Sequence, residues 1–419
     1  MSSSPRGPKP YAAHGRLRSP RLAAAVLRWV AIGLCVVVVA GVSVGAIAFD
    51  RFASGISRNA VPLAGDSPEA VPQIGPYSGA VNLLLVGSDT RNGQKGHYGA
   101  NPGSTLNDVN ILVRVSEDHT KATVISFPRD LYVDRPSCTD PSHTDRKLAG
   151  ADGVKINSVL EYGGLGCVRD TVARLTGMTI PFAAMITFDG VVEMSNAVGG
   201  VPVCVAKRID DDYTGLHLSK GEHRLKGTAA LKFLRTRHGV GDGSDLTRIS
   251  SQQVFLSSLV RTMKSASTLT DVTKLYGLSV AASQSMSLSS SLASVDTMVS
   301  IARSAAGIPL AQFVLVQYPT TLLGDGVVPN TKSADALLTA VKDDRAIRLA
   351  KKQKGATDGT GSVESDDPSP SPSASTSASP SPSASASADD PVDLPDTVLG
   401  QRVDQTTCSV GNDLGRRNL

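Results

Sequence analysis

The residues able to do chemistry fall in three short stretches of the chain. The first is Gly87-Ser88-Asp89-Thr90-Arg91, where an acid and an arginine follow an apolar run, 81–87. The second pairs Asn107-Asp108, at the head of one β-rich run, with Phe127-Pro128-Arg129-Asp130, at the foot of the next. The third runs from Leu234-Arg235-Thr236-Arg237-His238 through a glycine-rich loop to Asp245-Leu246-Thr247-Arg248, with Gln252 one turn on. Asp89 and Asp108 are hard oxygen donors. Two carboxylates with few other protein ligands suit Mg2+, which keeps water and takes phosphate oxygens. Arg129, Arg235, Arg237 and Arg248, with Arg91 nearby, present planar donor forks matched to the oxygen faces of a di-anion. A pyrophosphate satisfies both requirements. No P-loop, dinucleotide fingerprint or kinase motif is present, so a nucleotide is not the first expectation.

Each stretch also has a plainer reading. Asp89 serves equally as a local cap in a strand-to-loop turn. Asp108 with Arg129 makes an ordinary cross-strand ion pair, worth little by itself. Arg235 and Arg237 at a helix end complement its dipole. Arg248 resists that account: near a helix start it opposes the dipole and needs an anion, either Asp245 or a ligand.

The elements that must position these groups alternate along 80–346. Runs 81–87, 109–115, 122–127, 182–187 and 201–205 read as strands, and the polar 116–121 reads as the turn of a hairpin. That hairpin would bring Asp108 and Arg129 to the same end. Runs 168–175, 228–236 and 247–264 read as helices. In the last, Ile249, Leu256, Val260 and Met263 form one apolar stripe, while Arg248 and Gln252 are i, i+4 neighbours on another face. The expected fold is α/β, a mixed central sheet flanked by helices in an α-β-α layering.

Composition narrows the function classes. The chain of 419 residues carries +4, but residues 1–28 hold Arg6, Lys9, Arg16, Arg18, Arg21 and Arg28 and no acid, so the rest is −2. Basicity confined to a short head, with aromatics at 4% and a single Trp29, argues against nucleic-acid binding. Residues 29–49 hold no charge and, as a helix, would span the roughly 30 Å core of a bilayer. The arginine-rich flank lies before them, so the N-terminus is expected in the cytoplasm and the remainder outside the cell membrane. A cleaved signal peptide is the rival reading, with Ala46-Ile47-Ala48 as its small-x-small site. Gly41-Val42-Ser43-Val44-Gly45 matches a nucleophile-elbow pattern but lies inside the apolar run, where no strand-turn-helix can form.

The expected organisation is a basic head (1–28), a transmembrane helix (29–49), a proline-bearing stalk (50–79), the α/β domain (80–346), a disordered Ser/Pro/Ala-rich linker (347–390) and a C-terminal tail (391–419) that either docks or hangs free. Cys138, Cys167, Cys204 and Cys408 all lie on the expected outer side and lack CxxC spacing, which suits two disulfides with three possible pairings. Cys138 follows the third strand and Cys167 opens the next helix, so a bridge between them is expected, leaving Cys204 for Cys408.

The blocks VNLLLVGSDTR, NDVNILVRVSEDHTKATVISFPRDLYV, KINSVLEYGG and LKGTAALKFLRTRH…DLTRISSQQ, in this order, resemble the LytR-CpsA-Psr family over about residues 81–330. One departure is plain: where the family often has Arg-Ser-Asp-Thr, this chain has Leu106-Asn107-Asp108-Val109, so an arginine is missing at 106. The resemblance implies a membrane-anchored transferase that moves an anionic glycopolymer from a polyprenyl-pyrophosphate carrier onto peptidoglycan. It implies Mg2+ on Asp89 and Asp108, pyrophosphate on Arg91, Arg129, Arg235, Arg237, Arg248 and Gln252, and Asp245 orienting the arginines. It also implies a polyprenyl pocket, for which Leu231, Leu234, Phe255 and Leu259 are candidates, although each fits an ordinary core equally well. A lipid-binding regulatory module and a lipid pyrophosphatase are the alternatives. The sequence is silent on oligomeric state.

Overall fold

The computed structural model of the chain describes residues 26–32, 60–63, 76–91, 93–96, 98–99, 103–143, 145–265, 286–351, 353, 360–361, 390–412 and 414. The chain divides into two compact units, Met1–Phe52 and Ala53–Leu419. In the first, residues 26–32 are helical and exposed. The span expected at 29–49 otherwise lies outside the described residues. Among those described, no helix is long and apolar enough to cross a membrane.

The second unit is built on a mixed sheet. Its elements in chain order are β1 (Ala60–Val61), β2 (Val81–Ser88), β3 (Asn107–Val115), β4 (Ala122–Phe127), α1 (Val159–Thr176), β5 (Phe182–Ile186), α2 (Phe188–Ala197), β6 (Val201–Lys207), β7 (Ile209–Asp211), β8 (Leu216–Leu218), β9 (Gly221–Leu225), α3 (Thr228–Arg235), α4 (Asp245–Lys264), β10 (Met286–Ser289), α5 (Val295–Ala306), β11 (Phe313–Gln317), α6 (Thr331–Lys342), β12 (Gly400–Arg402) and β13 (Cys408–Val410), besides short pairs at the edges. The eight-stranded sheet runs β1-β10-β5-β2-β3-β4-β11-β12. β2 pairs with β5 in parallel and with β3 in antiparallel fashion, and β4 pairs with β11 in parallel. A smaller sheet joins β9, β6, β13 and Thr360–Gly361.

Alternation along β2 assigns the two faces, because successive side chains on a strand point to opposite sides. Leu84 and Val86 are buried in a core shared with Val159, Val168 and Val172 of α1 and Leu337 and Val341 of α6. Leu85, half-buried, faces the opposite side, toward α2, α3 and α4. A second core gathers Val201, Val203 and Val205 of β6 with Ala230 and Phe233 of α3 and Val254 and Phe255 of α4. The central strands and α3 agree with the sequence reading to within a residue or two. The helix expected at 168–175 starts earlier, at Val159, because it continues through a kink at Gly163–Gly164. Cys167 therefore sits inside α1 rather than at its start.

The domain is also wider than composition suggests. In the expected stalk, β1 adds to the sheet edge, Leu63 joins the main core and the Tyr77 ring packs edge-on against Phe182 at 5.3 Å. In the expected linker, Ile347–Arg348 pairs in parallel with Val392–Asp393, and Thr360–Gly361 pairs with β13. Residues 362–389, most of that stretch, lie outside the described residues. The tail docks: Leu394 and Val398 enter the main core, β12 extends the large sheet beside β11, and β13 lies parallel to β6. Both expected disulfides form, Cys138–Cys167 and Cys204–Cys408.

Candidate active site

Asp89 follows the last residue of β2 and closes a loop on itself. Its Oδ1 accepts from the Leu106 amide at 2.7 Å, and its own amide donates to the Leu106 carbonyl at 3.1 Å. Leu106, which stands where the family often has an arginine, thus meets Asp89 through its backbone. Burial raises the Asp89 pKa above the ordinary aspartate value, and the like charge of Asp108 adds to it against the Leu106 hydrogen bond.

Asp108 is placed by a β-bulge. Gly87 pairs with Val109 and Ser88 with Asn107, so Asp108 is the extra residue on β3. Bulges re-aim a side chain at the end of a ladder. Gly87 belongs to the same device: a Cβ there would stand 2.9 Å from the Val109 Cβ. Asn107, fully buried, ties the bulge to its surroundings by accepting from the Leu160 amide at 3.1 Å and donating to Asn110 at 2.7 Å.

The hairpin of β3 and β4 does bring Arg129 to Asp108, Nη1 to Oδ1 at 2.8 Å. Burial pulls the Arg129 pKa down, but the carboxylates of Asp108, Asp130 and Asp245 outweigh it, and the guanidinium is held above its ordinary value. Arg248 has the partner that its place near a helix start demands: Asp245 Oδ1 lies 2.6 Å from its Nη2, a charge contact rather than a well-aligned hydrogen bond. The same Nη2 donates to the Asp108 carbonyl at 2.8 Å, while Nε is buried without a partner among the described residues. Asp245 Oδ2 also accepts from the Arg129 amide at 3.3 Å, so this one acid touches both arginine segments.

Arg235 and Arg237 differ from these. Neither makes an ion pair among the described residues. Arg235 lies over the Phe188 ring at 4.4 Å, and burial together with the nearby Arg91 lowers its pKa. Arg91 has a buried Nε with no partner among the described residues. Gln252 spends one N–H on the Leu234 carbonyl at 3.0 Å, tying α3 to α4, and its other N–H makes no hydrogen bond among the described residues.

These groups border a cavity of about 420 Å³ between the sheet and helices α2, α3 and α4. Asp108, Arg129, Arg235, Arg237, Arg248 and Gln252 line it. Asp89, Arg91 and Asp245 are not part of that lining; Asp245 reaches it through Arg248 and the Arg129 amide. Leu231, Leu234, Phe255 and Leu259 line it too; Phe255 also belongs to the second core, and Leu234 and Leu259 pack against that core. The cavity is graded along its length. On α4 the lining runs from Arg248 through Gln252 to Phe255, Leu256 and Leu259, about 16 Å at the helical rise. On β2 it runs from Ser88 back to Leu85. The wall formed by α2, with Phe188, Val191 and Met194, and by Val198 just after it, was not singled out in the sequence. Its signal was the spacing of Phe188, Val191, Met194 and Val198 at steps of three and four.

A metal would have to sit at Asp89 and Asp108. Among the described residues no group of three or more His, Cys, Asp or Glu surrounds a cation position. Asp89 and Asp108 each commit Oδ1 and leave Oδ2 without a hydrogen bond from a described residue. Two such oxygens, with a like-charge repulsion that a cation would relieve, fit Mg2+ completed by water and ligand oxygens.

Known proteins resemble this chain. The cell wall biosynthesis protein LcpA of Corynebacterium glutamicum is 31% identical over 236 residues, which cover 50% of this chain and 44% of that protein. The polyisoprenyl-teichoic acid–peptidoglycan teichoic acid transferase TagT of Bacillus subtilis is 29% identical over 240 residues, covering 55% of this chain and 68% of that one. The alignment thus spans less than half of the corynebacterial relative. Among solved structures, a LytR-Csp2A-Psr enzyme from Actinomyces oris shares the fold with a TM-score of 0.50 at 22% identity, over 67% of this chain and 94% of that one. The family model described as the LytR_cpsA_psr family matches residues 55–344, well over half of the sequence, and the chain belongs to that family.

Proposed function

We propose that this chain is a membrane-anchored phosphotransferase that moves an anionic glycopolymer from a polyprenyl-pyrophosphate carrier to peptidoglycan outside the cell membrane. The observation that carries this reading is the graded cavity: apolar along β2 and α4, then crowded with Arg129, Arg235, Arg237 and Arg248 where the strands end. An apolar chain with a di-anionic head has the same gradient. The transferase name carried by TagT agrees in substrate class.

In this reading the arginines bind the pyrophosphate and Gln252 adds its remaining N–H. A peptidoglycan hydroxyl attacks the phosphorus that bears the sugar. A new P–O bond forms to that hydroxyl oxygen, the P–O bond to the bridging oxygen breaks, and polyprenyl phosphate leaves with its bridging oxygen. The attacking hydroxyl gives its proton to a base of the site. Asp89 and Asp108 would hold Mg2+, which supplies neutralisation of phosphate charge. The residues of the chain do the positioning: Asp245 fixes Arg248 and the Arg129 backbone, and Asp108 fixes the Arg129 fork. Phosphoryl transfer depends mostly on such placement and charge neutralisation.

Arg237 gives the cleanest test, since it lines the cavity and makes no ion pair among the described residues. Arg237→Ala should leave the melting temperature in place and cut transfer by roughly 10²–10³, the usual loss for one charge-stabilising group. The assay is the phosphodiester-linked polymer on peptidoglycan. Wild-type transfer by the variant overturns the site. Free polymer phosphate in place of ligated product identifies a pyrophosphatase, and binding without any product identifies a lipid-holding regulatory module.

A further inference from the structure

Tyr213 is 55% exposed, in a chain with only eight tyrosines and few other aromatics. It stands in the turn of the hairpin formed by β7 and β8, and this hairpin overhangs the polar end of the cavity, where its Asp211 and Thr214 form part of the lining. The Tyr213 ring packs on the ring of His238 with centroids 4.4 Å apart and planes 36° apart. His238 itself lines the cavity and follows Arg237 directly. Arg237 and His238 are thus neighbours in the lining, and the exposed Tyr213 ring, just outside it, stacks on the second of them.

The hairpin is held stiffly against the end of α3. Asp211 is fully buried and its Oδ1 accepts from the amides of Tyr213 at 2.9 Å and Thr214 at 3.3 Å. Its Oδ2 accepts from the Thr236 hydroxyl. Lys232 of α3 donates to the Gly215 carbonyl at 2.9 Å. Gly239 permits the close approach, since a Cβ there would meet the Asp211 Cβ at 2.8 Å. A surface aromatic fixed by a buried carboxylate and two flanking anchors is preorganised for contact.

We infer that the Tyr213–His238 platform is a saccharide subsite, receiving the sugar ring joined to the pyrophosphate that Arg237 binds. This rests on the proposed function, because that reading places the di-anion at Arg237. A pyranose offers an apolar C–H face and a polar rim. An exposed tyrosine held by an imidazole offers an apolar ring face, and the imidazole a ring nitrogen. The order along the wall is then the order along the ligand: hydrocarbon, di-anion, carbohydrate. The same chemistry would suit a sugar of the peptidoglycan acceptor, and the test separates the two.

The test uses the full-length protein in detergent with two probes, polyprenyl pyrophosphate and the same lipid carrying one N-acetylhexosamine. Tyr213→Ala should weaken binding of the sugar-bearing lipid by about three- to tenfold, the usual worth of an aromatic contact, and leave the sugar-free lipid unchanged. Tyr213→Phe should keep wild-type discrimination. Unchanged lipid binding, with a raised KM for peptidoglycan glycan strands in Tyr213→Ala and not in Tyr213→Phe, assigns the subsite to the acceptor sugar. Tyr213→Ala behaving as wild type toward both lipids and the glycan strands, or losing both lipids equally, overturns the subsite. A wild-type protein that binds neither lipid overturns the functional reading beneath it, a distinguishable failure.

Discussion

The two faces of the central sheet carry the same kinds of side chain and end in opposite conditions. On one, Leu84, Val86, Leu112 and Ile125 meet α1 and α6 and the space is filled, with Leu84, Leu112 and Ile125 at 0% exposure. On the other, Leu85, Ile111, Ala184 and Ile186 face α2, α3 and α4 across a hollow of about 420 Å³. Apolar residue type decides burial on both faces, but it does not decide packing. The filled face has leucine- and valine-rich helices laid directly on the strands. Across the hollow, α4 buries Thr247, Arg248, Ser250, Ser251, Gln252, Gln253, Ser257 and Ser258, and part of this set serves to anchor it elsewhere: Ser251 to Ser409, Ser257 to Gln401, Ser258 to the Pro202 carbonyl. The helix is tied to the tail and the second sheet, which leaves the apolar strand face open. Protein interiors ordinarily pack without voids, and ligand sites are mostly apolar hollows of this size, which is the condition that the proposed lipid requires.

Neighbouring leucines on β2 offer the strongest way to break this contrast. Leu84→Ala should cost about 2–5 kcal/mol, the range for a filled core, whereas Leu85→Ala should cost far less in the ligand-free protein and instead weaken lipid binding. Denaturant midpoints measure the first effect and lipid titration the second. Equal destabilisation by both substitutions would mean that the second face is packed after all.

The next test fills the hollow. Ile186→Trp should occupy part of it, lower affinity for polyprenyl pyrophosphate by tenfold or more, roughly 1.4 kcal/mol, and leave the melting temperature near wild type. A large fall in melting temperature would show that the space does not exist in solution.

The smallest effect concerns the polar end. Asp89 has a raised pKa, so its folded form binds a proton more tightly than the unfolded chain does. Stability from this group is therefore fully present below the unfolded value and is lost as pH rises through the folded one. Asp108→Asn removes a like charge and should shift the Asp89 titration downward, by less than about one pH unit, read from its carboxyl carbon resonance. An upward shift would show that Asp108 does not face Asp89. Mg2+ should lower the same titration in the wild-type protein, which checks the metal assignment without an activity assay.

Much of the site was legible because its pieces are local. An acid after an apolar strand, a hairpin with Asp108 and Arg129 at one end, and an arginine near a helix start that needs an anion all follow from period, turn chemistry and the helix dipole. Both disulfides were also placed correctly, since few cysteines leave few pairings. The extent of the domain was less legible. Short edge strands such as Ala60–Val61, Ile347–Arg348 and Gly400–Arg402 carry almost no pattern, and only the partner strand gives them their form.

The sequence by itself determined which residues could bind a di-anion, which apolar runs would form the sheet, and their order. Tertiary structure alone decided the rest. It set the bulge that aims Asp108, the phenylalanine under Arg235, the docking of the tail behind α4, and the choice of one sheet face to fill and the other to leave hollow. The physical reason is range. Periodicity and capping act over a few residues, whereas a cavity is a property of elements far apart in the chain, and no local spacing records how close they come.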